Sequence, residues 1–179
     1  MPQLVAPNPS LMASFVEALG EGYDRDTLRP ETPETIAALK ADTMAYLADL
    51  TGPPGQITLP DGSTGPAVAS TTLWYVRGDH FIGAITIRHE LNANLAIVGG
   101  HIGYVVRPSE RGRGHASAML AGALAHTRAH LPLKRVLLTV NALNPASIRV
   151  IEKNGGVHTK SVPHLWHPGD TAMHWWIEV

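Results

Sequence analysis

The sequence contains no cysteine, which excludes disulfides, thiolate zinc sites and a cysteine nucleophile. It also has no apolar run of about 18 residues, the length that predicts a membrane span. Neither sign of charge dominates, because 14 lysines and arginines face 15 aspartates and glutamates, and so no global field favours nucleic acid or a membrane surface. The first residues lack a basic segment followed by an apolar one, so no signal peptide is predicted. We therefore expect a cytoplasmic protein without nucleic-acid or membrane partners.

The length of the chain and the positions of its turn-forming residues favour one domain of the α+β class. The 179 residues suffice for a single sizeable core, which we divide into an N-terminal helical part, 1–60, and a core, 61–179. Periodicity and turn residues predict strand 4–6, helices 11–20 and 32–50, and a loop over 51–69 with its best turn at Asp61-Gly62. Strands 70–77 and 80–89 are expected next, joined by a two-residue hairpin connection at Gly78-Asp79, and then strand 101–106. They are followed by a helix after 113, strand 135–141, a helix from 145, and strands 157–162 and 171–179. The helix over 32–50 is expected to turn inward Ile36, Leu39, Thr43, Met44 and Leu47.

The most informative segment is the turn of residues 111–116, Arg-Gly-Arg-Gly-His-Ala, between a predicted strand and a predicted helix. Such a turn aims backbone N–H groups and a helix N-terminus at an anion. Gly112 and Gly114 permit positive φ and close approach of a ligand. With histidine neutral, residues 107–115 carry three arginines and one glutamate, a net charge of +3 − 1 = +2. The segment therefore predicts a binding site for a pyrophosphate.

Two common nucleotide patterns are absent from this turn. The triphosphate pattern Gly-x4-Gly-Lys-Ser/Thr does not occur, and the dinucleotide pattern Gly-x-Gly-x-x-Gly fails because Ser117 stands at its third glycine. What remains is Arg-x-x-Gly-x-Ala, preceded by Val106-Arg107-Pro108. A second segment, residues 144–156, begins with Asn-Pro-Ala-Ser and ends with Glu-Lys-Asn-Gly-Gly. It is expected to form a helix with Asn144 as N-cap, Pro145 at the first helical position and Gly155 after the last turn. Together the two segments resemble the acyl-CoA-binding core of the GNAT superfamily of N-acetyltransferases.

The resemblance implies a fold, a reaction and a donor site. The fold would be a central mixed, mostly antiparallel sheet of about six to seven strands flanked by helices. The activity would be transfer of an acetyl group from acetyl-CoA to a primary amine of a small molecule or peptide, by direct attack in a ternary complex. The residues implied for the cofactor are Val105, Val106, Arg111, Gly112, Arg113, Gly114, His115, Ala116, Asn144 and Ser147. The Val106 amide would polarise the thioester carbonyl, and plain capping of the second motif helix is an equal alternative for Asn144 and Ser147.

The proton transfers are less defined by the resemblance. Relatives often place a glutamate near the start of the motif strand, where this chain has His101. The acceptor of the amine proton would then be His101, Glu90 or His89, or bulk water. Many relatives carry a tyrosine just before the Glu-Lys pair, but this chain has Ile151. Tyr104, Tyr75 or a water would then protonate the leaving thiolate, or no donor is needed. The alternative function is a non-catalytic acyl-CoA-binding sensor.

Histidines and tryptophans near the C-terminus offer weaker signals. His164-x-x-His167, with His158 and His174, has a ligand-like spacing, but flanking prolines indicate a loop, and we expect no metal. Aromatic side chains could line an acceptor pocket or lie in the core, and the residues concerned are Trp74, Tyr75, Trp166, Trp175 and Trp176. Since Trp175 and Trp176 face opposite sides of a strand, at least one is expected in the core. A homodimer is one assembly that we consider.

Overall fold

The computed structural model describes residues 1–25, 32–59 and 61–179. Its helices and strands follow the chain in this order: β1 (Gln3–Val5), α1 (Met12–Gly20), α2 (Pro33–Ala41), α3 (Thr43–Thr51), β2 (Gln56–Thr58), β3 (Thr64–Pro66), β4 (Ser70–Arg77), β5 (His80–Arg88), β6 (Ile102–Val106), α4 (His115–His130), β7 (Arg135–Asn141), α5 (Pro145–Lys153), β8 (Val157–Pro163) and β9 (Thr171–Glu178). None of the helices in the described ranges is long and apolar enough to cross a membrane.

Three sheets are formed by the described strands. Their orders are β1-β4-β5-β6, β2-β3 and β7-β9-β8. The pairs β1–β4, β2–β3, β7–β9 and β8–β9 are antiparallel. The α+β class with a mostly antiparallel sheet is therefore confirmed. The described residues form nine strands rather than the six to seven expected, and the short pair β2–β3 accounts for the excess.

The pair β2–β3 lies in the segment for which the sequence predicted a loop. The predicted turn at Asp61-Gly62 is confirmed: Asp61 Oδ1 accepts the backbone N–H of Ser63 at 3.0 Å, and Gly62 has φ +83°. Each strand is only three residues long, so the periodicity that identifies a strand from sequence was too short to appear. The loop prediction for 51–69 was wrong at these two strands.

The single helix predicted over residues 32–50 is two helices. Asp42 leaves the helical region at φ −139° and ψ 79°, and its side chain accepts the N–H of Ala45 at 2.9 Å, which caps α3. The break changes which side chains turn inward. Leu39 and Leu47 are buried as predicted. Met44 is 54% exposed, because residues after the break at Asp42 no longer continue the helical periodicity of α2.

The chain divides into two compact units. Unit 1 comprises residues 1–53, 72–85 and 104–119, and unit 2 comprises residues 54–71, 86–103 and 120–179. Whether the chain is also organised as parts 1–60 and 61–179 stays a prediction. An aromatic cluster forms the core of unit 1: Phe15 stacks on Trp74 with ring centroids 5.0 Å apart, and Phe81 meets both rings edge-on. All three side chains are fully buried.

The core of unit 2 is built on the sheet β7-β9-β8. The central strand is β9, and β7 contributes Val136, Leu137 and Leu138, all buried. Helix α5 adds Ile151, which is 2% exposed. Strand β8 is exposed along nearly all its length and forms one edge of this sheet.

Candidate functional site

Strand β6 is an edge strand of its sheet, and this decides where its amides point. The backbone N–H of Arg107 donates to Ile82 O at 2.8 Å, on the β5 side. Adjacent residues of a strand direct their N–H groups to opposite sides, so the N–H of Val106 points away from β5. The N–H of Val105 points toward β5 for the same reason. The strand thus offers the Val106 donor at the edge where the described part of the chain adds no further strand.

The turn after β6 adopts the backbone that its glycines allow. Gly112 has φ +75° and Gly114 has φ +82°, and no heavy atom of the described chain lies within 4 Å of a Cβ built on either. The glycines are therefore required by conformation and not by crowding. Helix α4 begins directly afterwards, and the carbonyl of Gly114 accepts the N–H of Ala118 at 3.2 Å. The amides of His115 and Ala116 lie in the first turn, where no intrahelical acceptor exists.

The two arginines of the turn are held by the protein itself. Arg111 Nε donates to Val106 O at 3.1 Å, which folds this side chain back along the strand end. Arg113 Nη1 lies 3.3 Å from Glu110 Oε2, although its side chain is 59% exposed. The backbone of the turn is consequently braced by both arginines. The backbone N–H of Arg111 donates to Pro108 O at 3.3 Å, so the donors that the turn offers to an anion are the amides of residues 112–116.

Glu110 is a buried carboxylate beneath this turn, only 8% exposed in its side chain. His80 Nε2 lies 2.9 Å from Oε1, and His115 Nε2 lies 3.2 Å from Oε2. Burial alone would raise the pKa of Glu110, but the hydrogen bond from His80 and the charges of Arg113 and Arg77 outweigh burial and leave the pKa below its usual value. The carboxylate is therefore ionised around neutral pH and binds several donors at once.

Arg107, at the end of β6, is buried and fixed to α1. Its Nε and Nη2 donate to Glu21 Oε1 at 2.8 and 2.6 Å, and its Nη1 donates to Ser14 Oγ at 3.1 Å. The backbone N–H of Ser109 donates to the other oxygen of Glu21 at 3.3 Å. These hydrogen bonds from Arg107 and Ser109 lower the pKa of Glu21 to about 2. The ion pair anchors the segment between β6 and the turn to the C-terminal end of α1, the helix that contributes Phe15 to the aromatic core.

His101 lies just before β6 and is buried among residues of unit 2. Its ring Nδ1 accepts the backbone N–H of Leu137 at 2.9 Å, and the backbone N–H of His101 donates to Leu137 O at 2.7 Å. In the neutral ring the proton must then reside on Nε2, which leaves no lone pair to accept another. Burial, followed by the charge of Arg88, lowers the pKa of His101 and keeps the ring neutral. Its role as proton acceptor stays a prediction, but these contacts favour a structural role.

The other acid–base candidates differ in burial. His89 Nε2 lies 2.9 Å from Thr71 Oγ1, and Glu90 is exposed. Tyr75 is 8% exposed and its ring lies 5.7 Å from that of His115. Tyr104, in β6, is partly buried. Their catalytic roles stay predictions.

The second motif segment caps α5 as the sequence predicted. Asn144 Oδ1 accepts the N–H of Ser147 at 3.0 Å, Pro145 is the first helical residue, and Gly155 has φ +84° after the last turn. The capping alternative for Asn144 is thus confirmed, while contact with a cofactor stays a prediction. Ile151 is buried in the core, so the position where relatives carry a tyrosine offers no proton donor.

Two C-terminal imidazoles, those of His164 in the loop after β8 and His174 in β9, form hydrogen bonds within the protein. His164 Nδ1 lies 3.2 Å from the N–H groups of both Trp166 and His167. His174 Nε2 lies 2.8 Å from Ile97 O. Within the described ranges no three histidine, aspartate or glutamate side chains are grouped so as to hold a metal ion.

The tryptophans of the sheets divide between core and surface. Trp74 and Trp175 are buried at 0% and 6% exposure, which confirms that at least one of the pair 175 and 176 belongs to the core. Trp176 is half-buried, and the guanidinium of Arg135 lies 4.3 Å from its ring centroid. This face of Trp176 is occupied by the chain's own cation.

The predicted site residues are divided between the two units. Unit 1 contains residues 104–106 and the turn 111–116, whereas unit 2 contains His101, Asn144 and Ser147. Sequence reasoning missed the roles of Glu110 and Glu21, because His80 lies 30 residues from Glu110 and Arg107 lies 86 residues from Glu21. The one local signal was a carboxylate inside an otherwise basic turn, at Glu110.

Comparison with known families gives one match. The model of a family described as "Acetyltransferase (GNAT) domain" matches residues 27–157, well over half of the chain. None of the curated proteins compared with the chain matches it in sequence.

Solved structures with the same fold include several N-acetyltransferases. Mutant forms of the spermidine/spermine N-acetyltransferase SpeG from Vibrio cholerae superpose with a TM-score of 0.64 at 16% identity, covering 99% of this chain and 95% of that one. An N-acetyltransferase from Staphylococcus aureus gives 0.62 at 12% identity, covering 99% and 98%. RimL, a ribosomal alpha-N-protein acetyltransferase in complex with coenzyme A, gives 0.64 at 14% identity, covering 99% and 94%. At these identities the likeness establishes the fold.

Proposed function

Because this chain belongs to the GNAT acetyltransferase family, we propose that it transfers the acetyl group of acetyl-CoA to a primary amine of a small molecule or peptide. The observation that carries the proposal is the turn 111–116, with two glycines at positive φ and the first amides of α4 directly behind them. A diphosphate suits such a cluster of backbone donors at a helix N-terminus.

The donor is proposed to lie along the edge of β6. The amides of residues 112–116 would bind the diphosphate of CoA, with the side chain of Arg111 beside them, since the Arg111 backbone N–H donates to Pro108 O. The Val106 N–H, which points away from β5, would donate to the thioester carbonyl oxygen. One backbone donor that is aimed at the developing negative charge stabilises it more in the transition state than in the ground state. Side chains of Asn144 and Ser147 are proposed as further contacts to the donor, next to the capping role of Asn144.

The reaction proposed is direct attack of the neutral amine on the thioester carbon. A C–N bond forms, the C–S bond breaks, and the CoA thiolate leaves. Water is proposed as the acceptor of the amine proton, since the lone pair of His101 Nδ1 is used by Leu137. Of the other acceptor candidates, Glu90 is the more exposed. The thiolate leaves without a proton from Ile151, so Tyr104, Tyr75 or water would supply it if one is needed.

The acceptor is proposed to be an amine of one of two kinds. Proteins with this fold include a spermidine/spermine acetyltransferase and a ribosomal alpha-N-protein acetyltransferase. A polyamine and a peptide N-terminus are therefore the first candidates. A homodimer in the cytoplasm is our working expectation for the assembly and location.

A second function is favoured by one observation, the buried Ile151 where many relatives carry a tyrosine. A chain that binds acyl-CoA without turnover would act as a sensor. Release of free thiol from acetyl-CoA, measured against a panel of polyamines and peptides, separates the two functions. Amine-dependent release supports the enzyme, whereas tight CoA binding without release across the panel supports the sensor.

The donor site itself is tested with Gly114→Glu. This change places a negative charge and a strained L-residue at φ +82°, and CoA binding measured by calorimetry should be abolished. Gly55→Glu is the matched control, because Gly55 is exposed, has ordinary φ and has no heavy atom within 4 Å of a built Cβ. If Gly114→Glu binds CoA as well as the control does, the donor site is not at this turn.

A further inference from the structure

We propose that Glu110 is a positioning residue that holds the diphosphate-binding turn in shape by joining it to the hairpin of β4 and β5. The inference rests on the proposed function, because it assumes that residues 111–116 receive the diphosphate of the acyl donor. Glu110 itself would not touch the donor. Its side chain is 8% exposed and lies beneath the turn.

The carboxylate of Glu110 contacts two separate parts of unit 1. From the hairpin, His80 Nε2 lies 2.9 Å from Oε1 and Arg77 Nη2 lies 3.9 Å from Oε2. From the turn and the start of α4, Arg113 Nη1 and His115 Nε2 lie 3.3 and 3.2 Å from Oε2. One buried group thus links residues 77–80 to residues 113–115.

The turn needs such a link because its backbone is otherwise free to move. Glycine has more accessible backbone states than any other residue type, and a Cβ built on Gly112 or Gly114 would meet no heavy atom of the described chain beyond its sequence neighbours within 4 Å. Arg111 ties the first half of the turn to Val106 O. The second half is tied by Glu110. Without it, the amides of residues 112–116 would lose the fixed geometry that a diphosphate requires.

The charge balance shows why a carboxylate here does not repel the donor. The charged and titratable groups that face Glu110 are Arg77 from β4, His80 from β5, and Arg113 and His115 from the turn and helix. Two fixed cations therefore surround one anion even with both imidazoles neutral. The carboxylate engages side-chain donors only, so the backbone amides of the turn stay available.

The test is Glu110→Gln, which keeps the shape of the side chain and removes its charge. Charge-assisted hydrogen bonds are about twice as strong as neutral ones, so the link should weaken without being abolished. We expect the KM for acetyl-CoA to rise about fivefold to thirtyfold with kcat changed less than about twofold. The kcat/KM for S-acetylpantetheine, a donor without the diphosphate, should be unchanged. Glu34→Gln, an exposed glutamate on α2, is the matched control.

His80→Gln provides a second variant, since His80 is 38% exposed in its side chain and its replacement should be tolerated. It removes the hairpin end of the link and should raise the KM for acetyl-CoA in the same direction but less. In the Glu110→Gln background it should add almost nothing, because both changes break one link. The effect of His80→Gln on the KM for acetyl-CoA tests the link between the hairpin and the turn even if Glu110→Gln fails to fold.

Three results would overturn the inference. One is a KM for acetyl-CoA that falls, as simple repulsion between Glu110 and the donor would require. Another is an equal loss with acetyl-CoA and S-acetylpantetheine, which would indicate a general structural defect. The third is strictly additive effects of Glu110→Gln and His80→Gln. Failure of the proposed function looks different, because the unmodified protein would then release no thiol from acetyl-CoA with any amine of the panel.

Discussion

The ion pair between Arg107 and Glu21 gives the sharpest prediction for stability. The variant Glu21→Gln keeps the size of the side chain and resembles the protonated acid. It removes the charge that faces a guanidinium only 6% exposed, while the contacts of Arg107 with Ser14 and Phe81 O remain. We expect the variant to fold and to unfold more easily.

The size of the effect follows from the burial of each partner. Removing one member of a fully buried pair costs about 3–5 kcal/mol, because the other charge stays buried without compensation. Glu21 is 31% exposed, and Glu17 Oε2 lies 3.5 Å from Arg107 Nη2 and can compensate in part. We therefore expect a loss of about 2 kcal/mol in the free energy of unfolding, or about 4–8 °C in Tm for a chain of this length.

Urea unfolding at pH 7 measures this free energy directly, with Glu17→Gln as the matched control. Glu17 is 66% exposed, so its removal should cost less than about 0.5 kcal/mol. The pH dependence adds a second criterion. The pKa of Glu21 is held at about 2 in the folded protein, against an ordinary value of 4.5. Its stabilisation is complete above pH 4.5 and declines as pH falls toward 2.

The difference in the free energy of unfolding between the unmodified protein and Glu21→Gln should accordingly become smaller as the pH is lowered from 4.5 to 3. The reasoning is refuted if Glu21→Gln and Glu17→Gln lose equal stability at pH 7. It is also refuted if the difference stays constant over the acid range, because the ion pair would then contribute nothing to folding.

Two further predictions concern β6 and the residue His101 just before it. Val106→Pro removes the N–H that points away from β5 and should lower kcat by about 100-fold with the fold intact. Val105→Pro removes an N–H on the β5 side and should lower Tm instead. The opposite pattern would contradict the assignment of which amides of β6 face β5. His101→Leu leaves the Leu137 N–H without its acceptor and should cost about 1–3 kcal/mol in urea unfolding. The pH–rate profile should keep its acidic limb, where the rate rises as a proton acceptor loses its proton, and loss of that limb would identify His101 as the proton acceptor.

Features that depend on neighbouring residues could be predicted well from the sequence. The Asn144 cap, Pro145 at the first helical position and Gly155 after the last turn all occupy the predicted places in and around α5. The connection Gly78-Asp79 joins β4 and β5 as predicted, with Gly78 at φ +58°. Each of these is fixed by interactions within a few residues, so the local pattern carries the information.

Local patterns were less informative where two structures compete over a few residues. The helical periodicity continues through residues 32–50, but Asp42 caps a new helix because its short side chain can accept the N–H of Ala45. The strands β2 and β3 are too short for a periodic signal. In both places the local pattern is compatible with more than one backbone arrangement, so the pattern alone does not predict the one that forms.

The sequence by itself determined the family, the α+β class and the turn that we assign to the acyl donor, because glycines at positive φ and a helix start are local requirements. Only the tertiary structure decided what surrounds that turn. The partners of Glu110 and Arg107 come from distant parts of the chain, as does the Leu137 amide that occupies His101. A charged residue in a sequence does not indicate which distant residue it will pair with. The burial that makes these contacts strong exists only once the chain has folded.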